Sequence, residues 1–358
     1  MADQFIETKT TGYFSRIANS FVGILVGIVL IVVSIAILYW NEGQVNLTNI
    51  AKTAVEISAT DQSPDTALKG RLVAVSGKVE TQGLLADEPY LRAGSYLAIS
   101  RKVEMFSWIE RTKTKSQKNM GGSETTETTY TYEKGWTAFP EKPSEFKHPQ
   151  GHENPAPALK ALTQAAQIAK IGVFELDMRK LDLPAFEEVS LDGGKYAFRG
   201  NGSLGNPQLG DLRLSYGVLR SGIEGTVFGK LDQGWISSYT DKDGNKLYRL
   251  FAGDKKQALD TLQGEHKMIL WVMRLVGFIL MWAALKLLFE PLSVILDVLP
   301  FLGSVSRMGT GFFTFIWALL ISVVVIIISM IVHNLIALFI VLALIIGGII
   351  WAVSRRKK

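Results

Sequence analysis

Apolar positions in this chain are gathered rather than scattered. Phe21–Trp40 reads FVGILVGIVLIVVSIAILYW without a charge, long enough at about 1.5 Å per residue to cross a hydrocarbon core of about 30 Å. Tyr39 and Trp40 close it as interfacial aromatics, and Asn41, Glu42 and Gly43 stop it. Residues 268–289 form a second apolar run with Arg274 and Lys286 near its ends, where long stems let the charges reach the headgroups. Phe312–Val332 and Leu335–Val353 follow, separated only by His333 and Asn334, and predict an antiparallel helical hairpin. A cleaved signal peptide fits the first run poorly, since it is too long and no small-residue cleavage site follows.

Between the first and second runs the pattern becomes that of a mixed-charge extramembrane domain. Residues 44–58 carry helical character, and Leu72–Val75 and Gly77–Glu80 read as strands. Lys102–Glu110, KVEMFSWIE, alternates with period two: Val103, Met105 and Ile109 face one way, Lys102, Glu104, Phe106, Trp108 and Glu110 the other. Thr125–Trp136 is rich in Thr and Tyr, as a partner strand would be. The polar linker between them predicts a long β-hairpin with a mobile tip near Met120. Ala-rich Pro155–Ile171 reads as a helix with Asn154 as N-cap and Pro155 at its first position. Short runs divided by Gly and by Asp243-Gly244-Asn245 then predict further strands, and Asp254–Lys267 reads as a helix leading into the second span. The fold class expected is a multipass α-helical membrane protein of four spans. A large α+β, mostly antiparallel β, extramembrane domain is inserted between spans 1 and 2.

Charge adds an orientation. Lys9 and Arg16 precede the first span, Lys286 and Arg307 flank the 290–311 connection, and Arg355, Arg356, Lys357 and Lys358 end the chain. The His333-Asn334 turn has no Lys or Arg. Basic residues collect on the cytoplasmic side, so both termini are expected there, with the domain beyond the opposite face. The expected order is a cytoplasmic segment 1–16, span 17–40, a non-cytoplasmic domain 41–267, span 268–289, a cytoplasmic connection 290–311, spans 312–332 and 335–353, and a basic tail 354–358. In 290–309, Leu292, Ile295, Leu296, Leu299 and Leu302 recur at helical spacing between Pro291 and Pro300. An interfacial amphipathic segment and a plain loop packed on the bundle are both open readings.

Composition narrows the chemistry. The chain of 358 residues is 48% hydrophobic with a formal net charge of +5; much of that charge sits in the tail, so no nucleic-acid partner is indicated. There is no Cys, which excludes disulfides and thiolate chemistry. His148 and His152 stand four apart beside Glu153, but Pro149 and Gly151 break any helix that would let them share a metal; a turn is the better reading. Glu104 and Glu110 lie roughly 20 Å apart along one strand, too far to act together on a glycosidic bond. A solvated sheet face or a subunit contact is the plainer role, with Trp108, Tyr130 and Tyr132 as candidates for that contact. Gly23 and Gly27 form a GxxxG that suits helix dimerisation, though glycine is also common in spans by chance. Arg274 either pairs with Glu42, at a boundary on the same side, or snorkels alone. No Asp or Glu lies inside a span, which argues against a proton-coupled transporter.

Taken together, Asn41-Glu42-Gly43, Gly70-Arg71-Leu72-Val73, Arg101–Glu110, Gly151–Pro155 and Gly210-Asp211-Leu212-Arg213, with Arg274 and Gly277 in the first of three closing spans, resemble the LUMA family, transmembrane protein 43 and its relatives. That resemblance covers nearly the whole chain. It implies a multipass protein of the endoplasmic reticulum and inner nuclear membrane in animals, or of the cell (inner) membrane in bacteria. Family members self-associate and are linked to organising membrane proteins, including lamin and emerin. The short chain without Cys points to a bacterial relative, for which lamin and emerin do not apply. The expected function is therefore a non-enzymatic scaffold that forms homo-oligomers and engages the lipid bilayer and other membrane proteins, without a metal or cofactor. A membrane-surface lipid-binding protein or lipid enzyme, and a channel or channel subunit, are the rivals.

Overall fold

The computed structural model describes residues 3–60, 66–297, 300–334, 338–340, 343–344 and 346. The chain divides into two units. A β-rich unit comprises Met1–Phe5, Asn46–Lys113 and Thr129–Gly264, and a helical unit comprises Ile6–Val45, Thr114–Thr128 and Glu265–Lys358.

Among the described residues three helices are long and apolar enough to cross a membrane: α1 (Tyr13–Glu42), α3 (Lys255–Leu296) and α4 (Pro300–Val332). Between them in sequence lies the short α2 (Leu47–Lys52), where Asn46 accepts the Thr48 N–H as N-cap. The expected fourth span, Leu335–Val353, and the basic tail fall outside the described residues but for a few helical positions. The connection expected over 290–311 is largely helical: α3 continues through Pro291 to Leu296, and α4 begins at Pro300.

Within the helical unit, α1 and α3 run antiparallel. Ser34 donates to the Gly277 carbonyl at 2.8 Å and Asn41 to the Leu270 carbonyl at 3.1 Å. Gly27 is buried on this seam, where a Cβ would come within 2.9 Å of the Ala284 carbonyl. The glycine thus serves a close approach within the chain. Small hydroxyls continue the seam. Ser329 of α4 donates to the Tyr39 carbonyl at 2.8 Å, and Met281, Leu285 and Ala318 form a small apolar core. The lipid-facing remainder of α1, including Phe21, Leu25, Val29 and Val32, is exposed.

Among the described residues the β structure forms two seven-stranded sheets. One joins β1 (Asp3–Thr11), β6 (Tyr96–Lys118), β7 (Glu124–Thr137), β8 (Leu162–Ala165), β11 (Glu187–Val189), β12 (Ala197–Arg199) and β13 (Leu212–Arg220). The other joins β2 (Val55–Ser58), β3 (Leu72–Glu80), β9 (Ile168–Ile171), β10 (Phe174–Asp177), β14 (Ile223–Asp232), β15 (Trp235–Ser237) and β18 (Arg249–Ala252). Two small ribbons, β4 (Leu85–Asp87) with β5 (Leu91–Gly94) and β16 (Tyr239–Thr240) with β17 (Lys246–Leu247), complete the set. Pairing is mostly antiparallel; β2–β3 and β10–β15 are parallel.

Three apolar clusters hold the β-rich unit. The largest contains Val73, Val75, Leu97, Phe174, Leu176, Val227 and Leu250. A second contains Ala51 and Ala54, at and just beyond α2, with Phe228, Phe251, Ala258 and Leu262, and a third contains Ile99, Met105, Leu214 and Tyr216. Period-two burial in β13, with Leu212, Leu214 and Tyr216 inside, supplies the third cluster.

Two sequence expectations need correction here. Residues 155–171 are not a helix. Leu162–Ala165 pairs with β6, and Ile168–Ile171 pairs with β3 and β10. Pro155 and Pro157 bias the residues before them away from helical dihedrals, and Ala169 and Ile171 are buried while Ile168 and Lys170 are exposed, the alternation of a strand. Residues 3–11 are not a plain tail either, since β1 pairs with β7 at the edge of its sheet. Its polar sequence DQFIETKTT carries little apolar signal because the strand is exposed along nearly its whole length.

Candidate functional site

In the β-rich unit the residues singled out by sequence converge on His152. The ring is buried and stacks on Tyr132 at 4.0 Å between centroids; Trp108 meets it edge-on at 4.8 Å. Its Nδ1 lies 2.9 Å from the His148 carbonyl and its Nε2 3.3 Å from an Asp3 carboxylate oxygen. The His148 ring stacks on Phe5 of β1 at 4.4 Å, with Tyr130 edge-on at 5.5 Å. The Tyr132 hydroxyl donates to Glu110 at 2.5 Å and accepts from the His148 N–H at 2.9 Å. Burial first, and then the hydrogen bond to Glu110, push that hydroxyl up to about 12.

This arrangement turns the aromatic candidates inward. Tyr132 has no exposed surface, and Trp108 and Tyr130 are half-buried, with the Lys134 ammonium 4.6 Å from the Trp108 ring. Their stacking secures β1 by Phe5 and Asp3, a partner that sequence alone did not suggest. Both ring nitrogens of His152 have neighbours, and among the described residues no group of three His, Asp or Glu is placed to hold a metal. Glu104 accepts from Arg213 at 2.7 and 3.0 Å.

Asn154, expected as a helix cap, has another role. Its Oδ1 accepts from the Trp108 N–H at 2.7 Å, and its Nδ2 donates to the Trp108 and Glu141 carbonyls, each at 3.0 Å. One side-chain amide thus completes the β6 backbone where a neighbouring strand would.

The helical unit concentrates its charge at its two ends. At one, Glu42 is buried and accepts from Arg274 Nε and Nη2 at 2.7 and 2.8 Å. These two residues meet as a fork-on-fork pair. His333 lies beside Gly43, where a Cβ would be 2.5 Å from its Nε2. At the other end, Arg16 is buried; its Nη1 donates to the Gly122 carbonyl and its Nη2 to Asp297, each at 2.5 Å. Its Nε lies 3.1 Å from Glu124, which also pairs with Lys118. Tyr13 donates to the Ile295 carbonyl at 3.4 Å. Burial works against the Glu124 carboxylate, but Lys118 and Arg16 hold it below its ordinary value.

This second end corrects the expected sidedness of the hairpin. The tip around Met120 and the Arg16 that precedes the first span were expected beyond opposite faces. Instead Gly122 and Glu124 bond to Arg16, at the end of the helical unit away from Glu42. The tip is also shorter than the polar linker suggested, because strand structure runs to Lys118 and resumes at Glu124.

Comparison with known proteins gives this architecture a family. The family model described as transmembrane protein 43 matches residues 105–335. Transmembrane protein 43 of Mus musculus is 25% identical over 332 residues, covering 85% of this chain and 82% of the mouse protein. The Homo sapiens protein is 24% identical over 345 residues, 87% of this chain and 85% of its own length. A homologue from Drosophila melanogaster is 25% identical over 305 residues, with 77% and 81% covered. No solved structure matches. With helices that suit a bilayer at its ends, a β-rich body between, and a match spanning well over half its length, this chain belongs to the transmembrane protein 43 family.

Proposed function

We propose that this chain is a membrane-anchored organising protein, which self-associates and scaffolds other membrane proteins or membrane domains. The observation that best supports this reading is β1. It lies at the edge of a seven-stranded sheet and is exposed along nearly its whole length. The free side of an edge strand offers unpaired N–H and C=O groups to another extended chain. Trp108 and Tyr130, half-buried, lie on the same sheet. Four spans, with Leu335–Val353 the last, complete the proposed arrangement. A bacterial cell would hold the protein in its inner membrane, and an animal cell in the endoplasmic reticulum or inner nuclear membrane.

Neighbouring N–H groups on a strand point to opposite edges, so Thr8→Pro and Lys9→Pro form a matched pair, one of which removes only an outward donor. Light scattering of the full chain in nanodiscs and mild detergent is expected to show assemblies larger than a monomer. The variant that loses an outward donor should shift toward monomer with its circular dichroism retained. A wild-type chain that is monomeric at all concentrations would sink this reading.

A further inference from the structure

Beside β6 the β-rich unit contains two apolar cavities with a common wall. The first, of about 580 Å³, is bordered by Ala138, Phe139, Pro140, Pro157, Leu159 and Ala161. The second, of about 650 Å³, lies between Pro143, Pro155 and Ala156 and shares Ala138, Phe139, Pro140 and Pro157 with it. Each is within the range of roughly 300–1,000 Å³ usual for small-molecule sites. Phe139 stands on the dividing wall with 87% of its surface exposed, which leaves a large apolar ring without cover in the protein alone.

The rim of the first cavity is basic in effect. Lys102, Glu104 and Lys160 line it, but Glu104 is already neutralised by both hydrogen bonds from Arg213. Lys102 and Lys160 are exposed and make no ion pair among the described residues. Glu141, Lys142 and Glu145 border the second cavity, so the basic mouth is that of the first. Two joined apolar chambers with two ammonium groups at the mouth of the first match a ligand with two hydrocarbon chains and one negative head.

We propose that these cavities hold an acidic diacyl phospholipid, one chain in each chamber and the phosphate against Lys102 and Lys160. The chain's own membrane helices keep the unit tethered to a bilayer, so such lipid is always at hand. The site is separate from self-association, and a monomer that still binds lipid would leave it standing.

The test places the full chain in phosphatidylcholine nanodiscs carrying a trace of photoactivatable diazirine lipid, with crosslinks mapped by mass spectrometry. Diazirine phosphatidylglycerol should label the peptides 137–143 and 155–161. Combining Lys102→Glu with Lys160→Glu should cut that labelling roughly tenfold or more, given the attraction of each basic group to acidic lipid. Labelling of the membrane helices by diazirine phosphatidylcholine should stay unchanged. Ala138→Trp, which fills the shared wall, should abolish labelling in both peptides, and it decides the matter alone if the charge variant fails to fold by near-ultraviolet circular dichroism. The proposal is overturned by crosslinks confined to the helices, by labelling that survives Ala138→Trp, by equal labelling from phosphatidylcholine, or by labelling from diazirine palmitate with none from phosphatidylglycerol.

Discussion

The two ends of the helical unit solve the same problem differently. At the Glu42 end a single forked pair joins α1 to α3, and Arg274 keeps 19% of its side chain exposed beside the Trp271 ring. At the Arg16 end, four charged groups and a backbone carbonyl share one knot, with Arg16 at 7% and Asp297 at 1% exposure. A forked pair is local and nearly self-sufficient. The knot is collective, so removing one member leaves others buried without balance, and that cost exceeds the worth of any one contact.

The comparison breaks most sharply at Asp297. Asp297→Leu should destabilise the helical unit by about 3–5 kcal/mol, read as thermal unfolding in nanodiscs, while adding Arg16→Met should recover much of the loss. If the double variant is no better than the single, the knot does not work as a unit. Glu42→Gln should cost less, about 2 kcal/mol, because one neutral acceptor still faces Arg274. A larger loss there than at Asp297 would reverse the ranking.

The smallest effect is set by pH. Glu124 has its carboxyl lowered from 4.5 in the folded chain. Its contribution is therefore complete above that pH and fades as pH falls through the folded value. A spin label on Met120→Cys, in a chain with no other Cys, should gain mobility only below pH 4.5. Mobility that changes instead near neutrality would assign the tip to another group.

What could be read from sequence depended on how local its cause was. Phe21–Trp40 announces a helix because the cost of wetting twenty apolar residues needs no partner to be felt. Glu42 and Arg274 could be matched because opposite charges at one boundary depth have few alternatives. The knot could not be read: Arg16 is 106 residues from Gly122 and 281 from Asp297, and nothing nearby marks them as partners. Residues 155–171 misled for another reason. Their alanines favour a helix weakly, and pairing with β6 and β3 overrides so small a preference. Trp108, Tyr130 and Tyr132 were legible as a sheet face, but Phe5 and His152, which cover that face, come from segments with no strong pattern of their own.

The 281 residues between Arg16 and Asp297 also set a schedule for biosynthesis. At ~5–20 residues per second, the guanidinium of the first span waits on the order of half a minute before its carboxylate leaves the ribosome. During that time it can rest only at the headgroup layer, where a long basic stem is tolerated. Closure of this end is thus among the last events of assembly, and a chain stalled before α3 would carry an open clasp for quality control to find.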